Sequence, residues 1–387
     1  MKSIVMGVMM TVSATLLADT LYWYGDPSVG NRDGNWMADD MWLDAATGNL
    51  VTWQENDTHD VIFDSSRVGG TGWFTHIGIP SDGVTPNSVV VAANLQACRF
   101  RHDTNDPGTP GSIFTPEFTA MGRGDVTFYD GVTLQALHLV VDGANGGLFK
   151  YENLGIGALS LCDTAVLTNN ATVTSTAGGI VTCAFDVYGT ARATQGNYGQ
   201  GYGNQWTLAG PITLNPGALL IQAEASYQWR PYEISGAITL LGDAGIQGGT
   251  GDQNTTVISG GVTGAHTLTL HVVGTNPNGG KIIRDGAWDV AGVTKTGTGR
   301  LTVQVENLFG NFDEVQQKKE AILSIQEGLV KLSAPQVVKT LQLGSDIITG
   351  VGTYTIAELD PGNLYFTADY IGALTIPPPG GTVILLR

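Results

Sequence analysis

Apolar and polar residues alternate along most of this chain in short runs broken by Gly, Asn and Asp. Strict alternation puts every second side chain on one face, the pattern of a half-buried strand. The runs Asp125–Tyr129, Thr133–Val141, Ala165–Val173 and Thr267–Val273 are accordingly predicted as strands, and the texture holds from Gly124 to about Val305. Long amphipathic helical patterns are nearly absent. One segment breaks the texture: Asp313–Glu320 is the densest charge run and predicts one or two helical turns before Ala321–Ile325 resumes a strand.

One phrase recurs. Leu208–Leu214 reads L-A-G-P-I-T-L, Ile234–Leu240 reads I-S-G-A-I-T-L, Ile258–Gly264 reads I-S-G-G-V-T-G, and Val290–Gly297 reads V-A-G-V-T-K-T-G. Their starts are 26, 24 and 32 residues apart. Self-similarity at this period marks a stacked array in which each unit buries its apolar face against its neighbours. The expected fold is all-β, a parallel β-helix (solenoid) with inward Val, Ile and Leu, outward Thr, Asn and Gln, and Gly at the corners.

The two ends differ from the middle. Five of the eight tryptophans, Trp23, Trp36, Trp42, Trp53 and Trp73, lie in Asp19–Phe74. A terminal unit must cover the first coil, and large aromatics suit that task. Prolines 80, 86, 107, 110 and 116 make Val68–Phe118 loop-rich. The expected organisation is a signal peptide over residues 1–18, a Trp-rich cap over 19–75, a solenoid over 76–310 with a loop excursion near 100–118, and a terminal repeat with a C-terminal strand over 311–387. Thr382–Leu386 and the Trp-rich segment are the candidate mating surfaces for a second copy.

Composition narrows the class of protein. Gly is 54 of 387 residues and charged residues are only 14%, which favours turn-rich β structure. The formal charge of −17 argues against nucleic acid or an anionic membrane as partner. Met1–Ala18 reads as an export leader: Lys2, an apolar Ile4–Leu17, then Ala18 before Asp19. That run is too short for a comfortable membrane span. Three cysteines, Cys98, Cys162 and Cys183, cannot form a disulfide framework. Cys162 and Cys183 are 21 residues apart, so they either bridge adjacent coils or serve, like Cys98, as small buried hydrophobes.

The stretch Val293-Thr-Lys-Thr-Gly-Thr-Gly-Arg-Leu-Thr-Val, followed by Ala321-Ile-Leu-Ser-Ile-Gln-Glu-Gly-Leu-Val-Lys-Leu, resembles the autotransporter-associated β-strand repeat. Lys295 stands where that family has its Lys. The opening W…W…W-Q-E-N-D…V-I-F and the closing Gly352-Thr-Tyr-Thr-Ile-Ala-Glu-Leu are similar to the ends of exported bacterial proteins that carry the repeat. The resemblance implies a parallel β-helix, secreted or displayed on a bacterial surface, in proteins often lacking catalysis. No C-terminal stretch is long enough for an additional translocator barrel.

Reactive constellations are few. There is no G-x-S-x-G, H-E-x-x-H or P-loop motif. His266 and His271 differ by five, on opposite faces of a strand. Gly248–Asp252 lacks the spacer of a calcium nonapeptide. Asn31–Asn35 with Asp39 and Asp40 is the better oxygen-rich cluster, so a structural calcium is the one ion weighed. Arg99, Arg101 and Asp103 share a strand face, the arrangement in which an Arg base works beside acidic ligands in some polysaccharide lyases. Tyr198, Tyr202, Trp206, Tyr227 and Trp229 are candidate sugar-stacking rings. No catalytic or metal residue is assigned, no cofactor is expected, and binding residues stay unknown. The expected function is a secreted, non-enzymatic subunit of an extracellular filament, sheath or surface layer, with itself as partner. A polysaccharide-acting β-helix enzyme or a carbohydrate-binding adhesin is the alternative.

Overall fold

Runs that alternate with period two, separated by corner residues, form strands whose apolar side chains all point one way. The computed structural model describes residues 20–26, 28, 33–54, 59–66, 75–92, 95–103, 105–121, 125–143, 148–151, 153–162, 165–169, 180–195, 206–222, 232–248, 255–273, 280–283, 286–309, 321–367 and 373–377. Among them the fold is all-β: thirty-five strands and one short helix, Ile356–Leu359. The Met1–Ala18 leader, the Asp313–Glu320 run, Trp73 and Thr382–Leu386 lie outside the described residues.

Three long runs of parallel pairing organise the chain. The first ladder passes from Asp60–Phe63 through Ser88–Val91, residues 117–120, 138–141, 158–161, Ala184–Val187, Ile212–Leu214, Ile238–Leu240 and 262–264 to 288–290. The second passes from Thr75–Ile79 through Ala97–His102, Asp125–Phe128, Leu148–Tyr151, Val166–Asn169, Thr190–Gln195, Leu219–Gln222, Ala244–Gln247, 268–271, 292–296 and Ile322–Ile325 to Thr340–Leu343. The third joins Ile180–Val181, Trp206–Leu208, Tyr232–Ile234, Thr255–Ile258, Gly280–Ile283, Arg300–Val303 and Val330–Leu332. The first two ladders belong to one large, mostly parallel sheet of 25 strands, and the third is a sheet of seven.

The repeated phrases set this register. Leu208, Ile234 and Ile258 are stacked partners, as are Ile212, Ile238 and Val262. The fourth phrase is not a copy in register. Ile258 pairs with Ile283 and Gly264 with Val290, so Val290–Gly297 starts at the end of the first ladder and runs into the second. The true counterpart is Ile283-Arg-Asp-Gly286, with one residue more than I-S-G, and that insertion hid it.

Inward columns form the core. Leu220, Ile246, Leu270, Lys295, Ile325 and Leu343 are successive partners, each buried. Burying each aliphatic member contributes roughly 1.5–3 kcal/mol. Toward the N-terminus the core between the ladders becomes aromatic. Trp36 and Trp42 lie 4.7 Å apart, Trp42 and Phe63 5.8 Å, Phe63 and Phe100 5.5 Å, Phe100 and Phe128 4.7 Å, and Phe128 and Phe149 5.6 Å. Trp23, Trp36, Trp42 and Trp53 are all buried in this cluster, so they offer no aromatic mating face to a second copy.

One corner is a column of glycines. A Cβ on Gly236 would lie 1.8 Å from the Gly210 carbonyl oxygen, one on Gly260 1.9 Å from that of Gly236, and one on Gly286 2.5 Å from that of Gly260. Only Gly fits such backbone contact. A second corner stacks Pro116, Leu137 and Gly157, the positions skipped by the pairing on either side. Pro is tolerated where no ladder donor is required. Within the expected loop excursion no strand lies between His102 and Ser112 among the described residues. Thr75–Ile79, Ser88–Val91, Ala97–His102 and Ser112–Met121 occupy much of the rest of Val68–Phe118, with Pro80, Pro86 and Pro110 near strand ends, Pro107 within the loop and Pro116 at this corner.

Other strands cover the starts of the first two ladders and the end of the second. Thr20–Trp23 lies parallel on Asp60–Phe63 and is itself covered by antiparallel Trp42–Asp44, which carries Leu50–Val51. Gly34–Asn35 covers Thr75–Ile79. At the other end Asp346–Ile348 lies antiparallel on Thr340–Leu343, and Val330 bridges to Phe366. Gln336–Val337, Gly352–Tyr354 and Leu374–Ile376 make a small third sheet.

Candidate functional site

Arg99 and Arg101 point outward from Ala97–His102, as the alternation predicts, and both are half-buried. Asp103 does not join them in a site: its carboxylate accepts the Asn105 amide at 2.8 Å and caps its own turn. The same loop holds Asp106 down at a pKa of about 2, because the Ser81 hydroxyl, the Ser81 amide and the Gly108 amide all donate to it. Arg101 instead hydrogen-bonds Tyr129, whose phenol burial pushes up.

The oxygen-rich N-terminal cluster is dispersed. Asp33 accepts the His76 amide at 2.8 Å and lies 3.2 Å from His76 Nδ1. Asp39 accepts the Thr52 hydroxyl at 3.4 Å. Among the described residues no three His, Cys, Asp or Glu side chains converge to hold a metal. Asn31, residues 249–252, Tyr198, Tyr202, Tyr227 and Trp229 lie outside the described residues, as does the Trp206 side chain. His266 and His271 are separated by an irregularity between Gly264 and Thr267, where the strand leaves the first ladder for the second. His271 Nδ1 then sits 2.9 Å from the Thr296 hydroxyl.

All three cysteines are free. Cys162 and Cys183 are on adjacent rungs but at opposite ends of them. Leu161 pairs with Val187, so Cys162 lies beside position 188, five residues from Cys183. At about 3.3 Å per residue the gap is roughly 16 Å, beyond the reach of a disulfide. Burial pushes the Cys183 thiol up to about 11 and raises that of Cys98 well above its usual value.

A Ser–His contact was not legible in the sequence. Glu117 and His138 are register partners, and His138 Nε2 lies 2.9 Å from Ser160 Oγ. These groups stand on the outer face of a paired strand, where ladder bonds occupy the backbone N–H groups. The contact is a cross-strand polar pair.

The most unusual buried group is Lys295. It stands inward, fully buried, between Leu270 and Ile325. Its ammonium donates to the carbonyls of Thr296 at 3.2 Å and Glu327 at 2.6 Å, and to that of Gly297. Burial lowers its pKa to about 8, against the opposing pull of the Glu327 carboxylate. Gly328 is shaped to this contact: a Cβ there would lie 2.6 Å from Nζ. A second buried polar side chain, Gln336, ties a neighbouring corner. It donates to Val305 O at 2.6 Å and Ala334 O at 3.2 Å and accepts from the Leu308 amide at 2.9 Å. Both side chains hold backbone groups at the ends of strands. No family model, curated protein or solved structure matches the chain. No helix among the described residues is long and apolar enough to cross a membrane.

Proposed function

We propose that the three ladders are the walls of one parallel β-helix, and that the chain is a secreted, non-enzymatic structural protein, a subunit of an extracellular filament, sheath or surface layer. The observation that carries this reading is the register itself. The third ladder advances by 26, 24 and 25 residues at 206→232, 232→256 and 255→280. The first advances by 26, 24 and 26 at 212→238, 238→262 and 262→288. Advances of 24–26 residues, equal on both walls to within one residue, are what successive coils of a single winding require. Investment in stacked walls, with polar groups spent on corner pins and cross-strand pairs, suits a load-bearing rod. The leader-like Met1–Ala18 and the repeat resemblance around Lys295 support export and surface display.

The test is electron microscopy of the native secreted protein, alongside light scattering against concentration. Filaments or lattices, and a mass that grows with concentration, are expected. Monodisperse single particles at every concentration would contradict the structural role. A polysaccharide-degrading activity abolished by Arg101→Ala would favour the enzyme reading instead.

A further inference from the structure

Charge is segregated around the rungs. On the outer face of the first ladder stand Asp60, Glu117, Asp142, Asp186 and Asp289, with no Lys or Arg among the described residues. On the outer face of the second ladder's described strands stand Arg99, Arg101, Lys150 and Arg192 with the carboxylate Asp125, and Asp103 and Asp130 lie in the adjoining turns. Lys150 shares its charge with Asp125 at 2.7 Å; Arg192 is exposed. In a chain of net charge −17 these cations set the second ladder apart from the acidic first; the third ladder carries Arg300 and Lys331 with Glu233. His76, Arg99, Thr127 and Lys150 are successive register partners, so the cations run lengthwise. From Thr75–Ile79 to Thr190–Gln195 there are six rungs, about 24 Å at the usual strand spacing.

We infer that the partner of this basic wall is a second copy of the chain, presenting its acidic first-ladder wall, so that copies pack side by side. The inference rests on the structural reading above and specifies its contact. Two different walls meet, so the contact is heterologous and repeats from copy to copy rather than closing at a dimer. Strands cover the starts of the first two ladders and the end of the second, which disfavours growth by strand addition there. Opposite charge on the mating walls steers the copies together and sets their register.

The experiment uses the full secreted chain and two variants. One carries Arg99→Glu, Lys150→Glu and Arg192→Glu; the other carries Glu117→Lys, Asp186→Lys and Asp289→Lys. Circular dichroism melting verifies that each is folded. Scattering mass is followed from about 0.01 M to about 1 M salt, over which the screening length falls from about 30 Å to about 3 Å. Native protein is expected to exceed a dimer at low salt and to dissociate at high salt. Each variant alone should stay monomeric, and mixing the two should restore assembly. Native assembly that neither variant weakens, or that stops at a dimer, overturns the lateral contact and leaves the structural role standing. A native chain that is monomeric throughout overturns both. If one variant fails to fold, the other alone still decides the wall it reverses.

Discussion

The ammonium of Lys295 donates to the backbone carbonyl of Glu327 at 2.6 Å, across 32 residues of sequence. The contact joins the end of one second-ladder strand to the turn that follows the next one, Ile322–Ile325. With the bonds to Thr296 and Gly297 it satisfies three carbonyls at a corner where the ladder has ended. A lysine in an apolar column is costly unless its charge is hydrogen-bonded, and here each ammonium proton has an acceptor.

Lys295→Met keeps the length and apolar stem of the side chain but leaves those carbonyls without their donor. It should lower unfolding stability by about 3 kcal/mol, measured by urea titration. A variant as stable as the native protein would show that water or a local shift replaces the ammonium.

The same group makes stability depend on pH. Its folded pKa of about 8 lies below the ordinary lysine value of 10.5, so between these limits the unfolded chain binds more protons than the native one. Stability from this site therefore rises as pH increases from about 8 toward 10.5 and is flat below. The difference in urea midpoint between native protein and Lys295→Met, taken at pH values on either side of this window, isolates the effect. The native protein should gain on the variant as pH rises; an unchanged or shrinking difference contradicts the assignment.

The glycine corner is the least tolerant backbone site. A methyl group at Gly236 would lie 1.8 Å from the Gly210 carbonyl oxygen, forcing two rungs apart. Gly236→Ala should cost about 3 kcal/mol. Gly155 faces outward with its nearest non-local atom 3.7 Å from the added Cβ, so Gly155→Ala should change stability by about 0.5 kcal/mol or less. Equal effects at the two positions would remove the stacked-corner account.

The thiol state is equally specific. Unfolding without reductant should release three titratable thiols, and Cys98 should resist alkylation in the native protein. One thiol in place of three would mean that Cys162 and Cys183 had paired, and that the register between residues 161 and 187 is wrong.

Much of the fold was legible in the sequence because stacking copies a local pattern. The I-T-L runs at Ile212 and Ile238 are register partners because each apolar position needs an apolar neighbour one rung away. The pattern failed where one residue entered a corner, at Ile283-Arg-Asp-Gly286, and the fourth phrase was then matched one wall out of step. Prolines misled for a related reason: Pro116 sits inside a continuous strand because the chain bends there and no donor is wanted. The site was less legible. Arg99, Arg101 and Asp103 share a sequence face, but a turn amide claims the aspartate. The charged walls could not be read at all, since they join residues as distant as Asp60 and Asp289 through register alone.

Spin-label distances along one outward column test the winding most directly. Ile62, Val90, Thr119, Val140, Ser160, Asp186, Thr213, Thr239, Thr263 and Asp289 are successive partners on the first ladder. Labels would be placed at Thr119 with Thr239, Thr119 with Asp289, and Ile62 with Asp289, in a background where the three native cysteines are replaced by Ala. These pairs are five, seven and nine rungs apart, which predicts separations of about 24, 34 and 43 Å, rising in proportion to rung number. Distances that fail to grow with rung number, as in two facing antiparallel sheets, would contradict the stacked winding on which the rest depends.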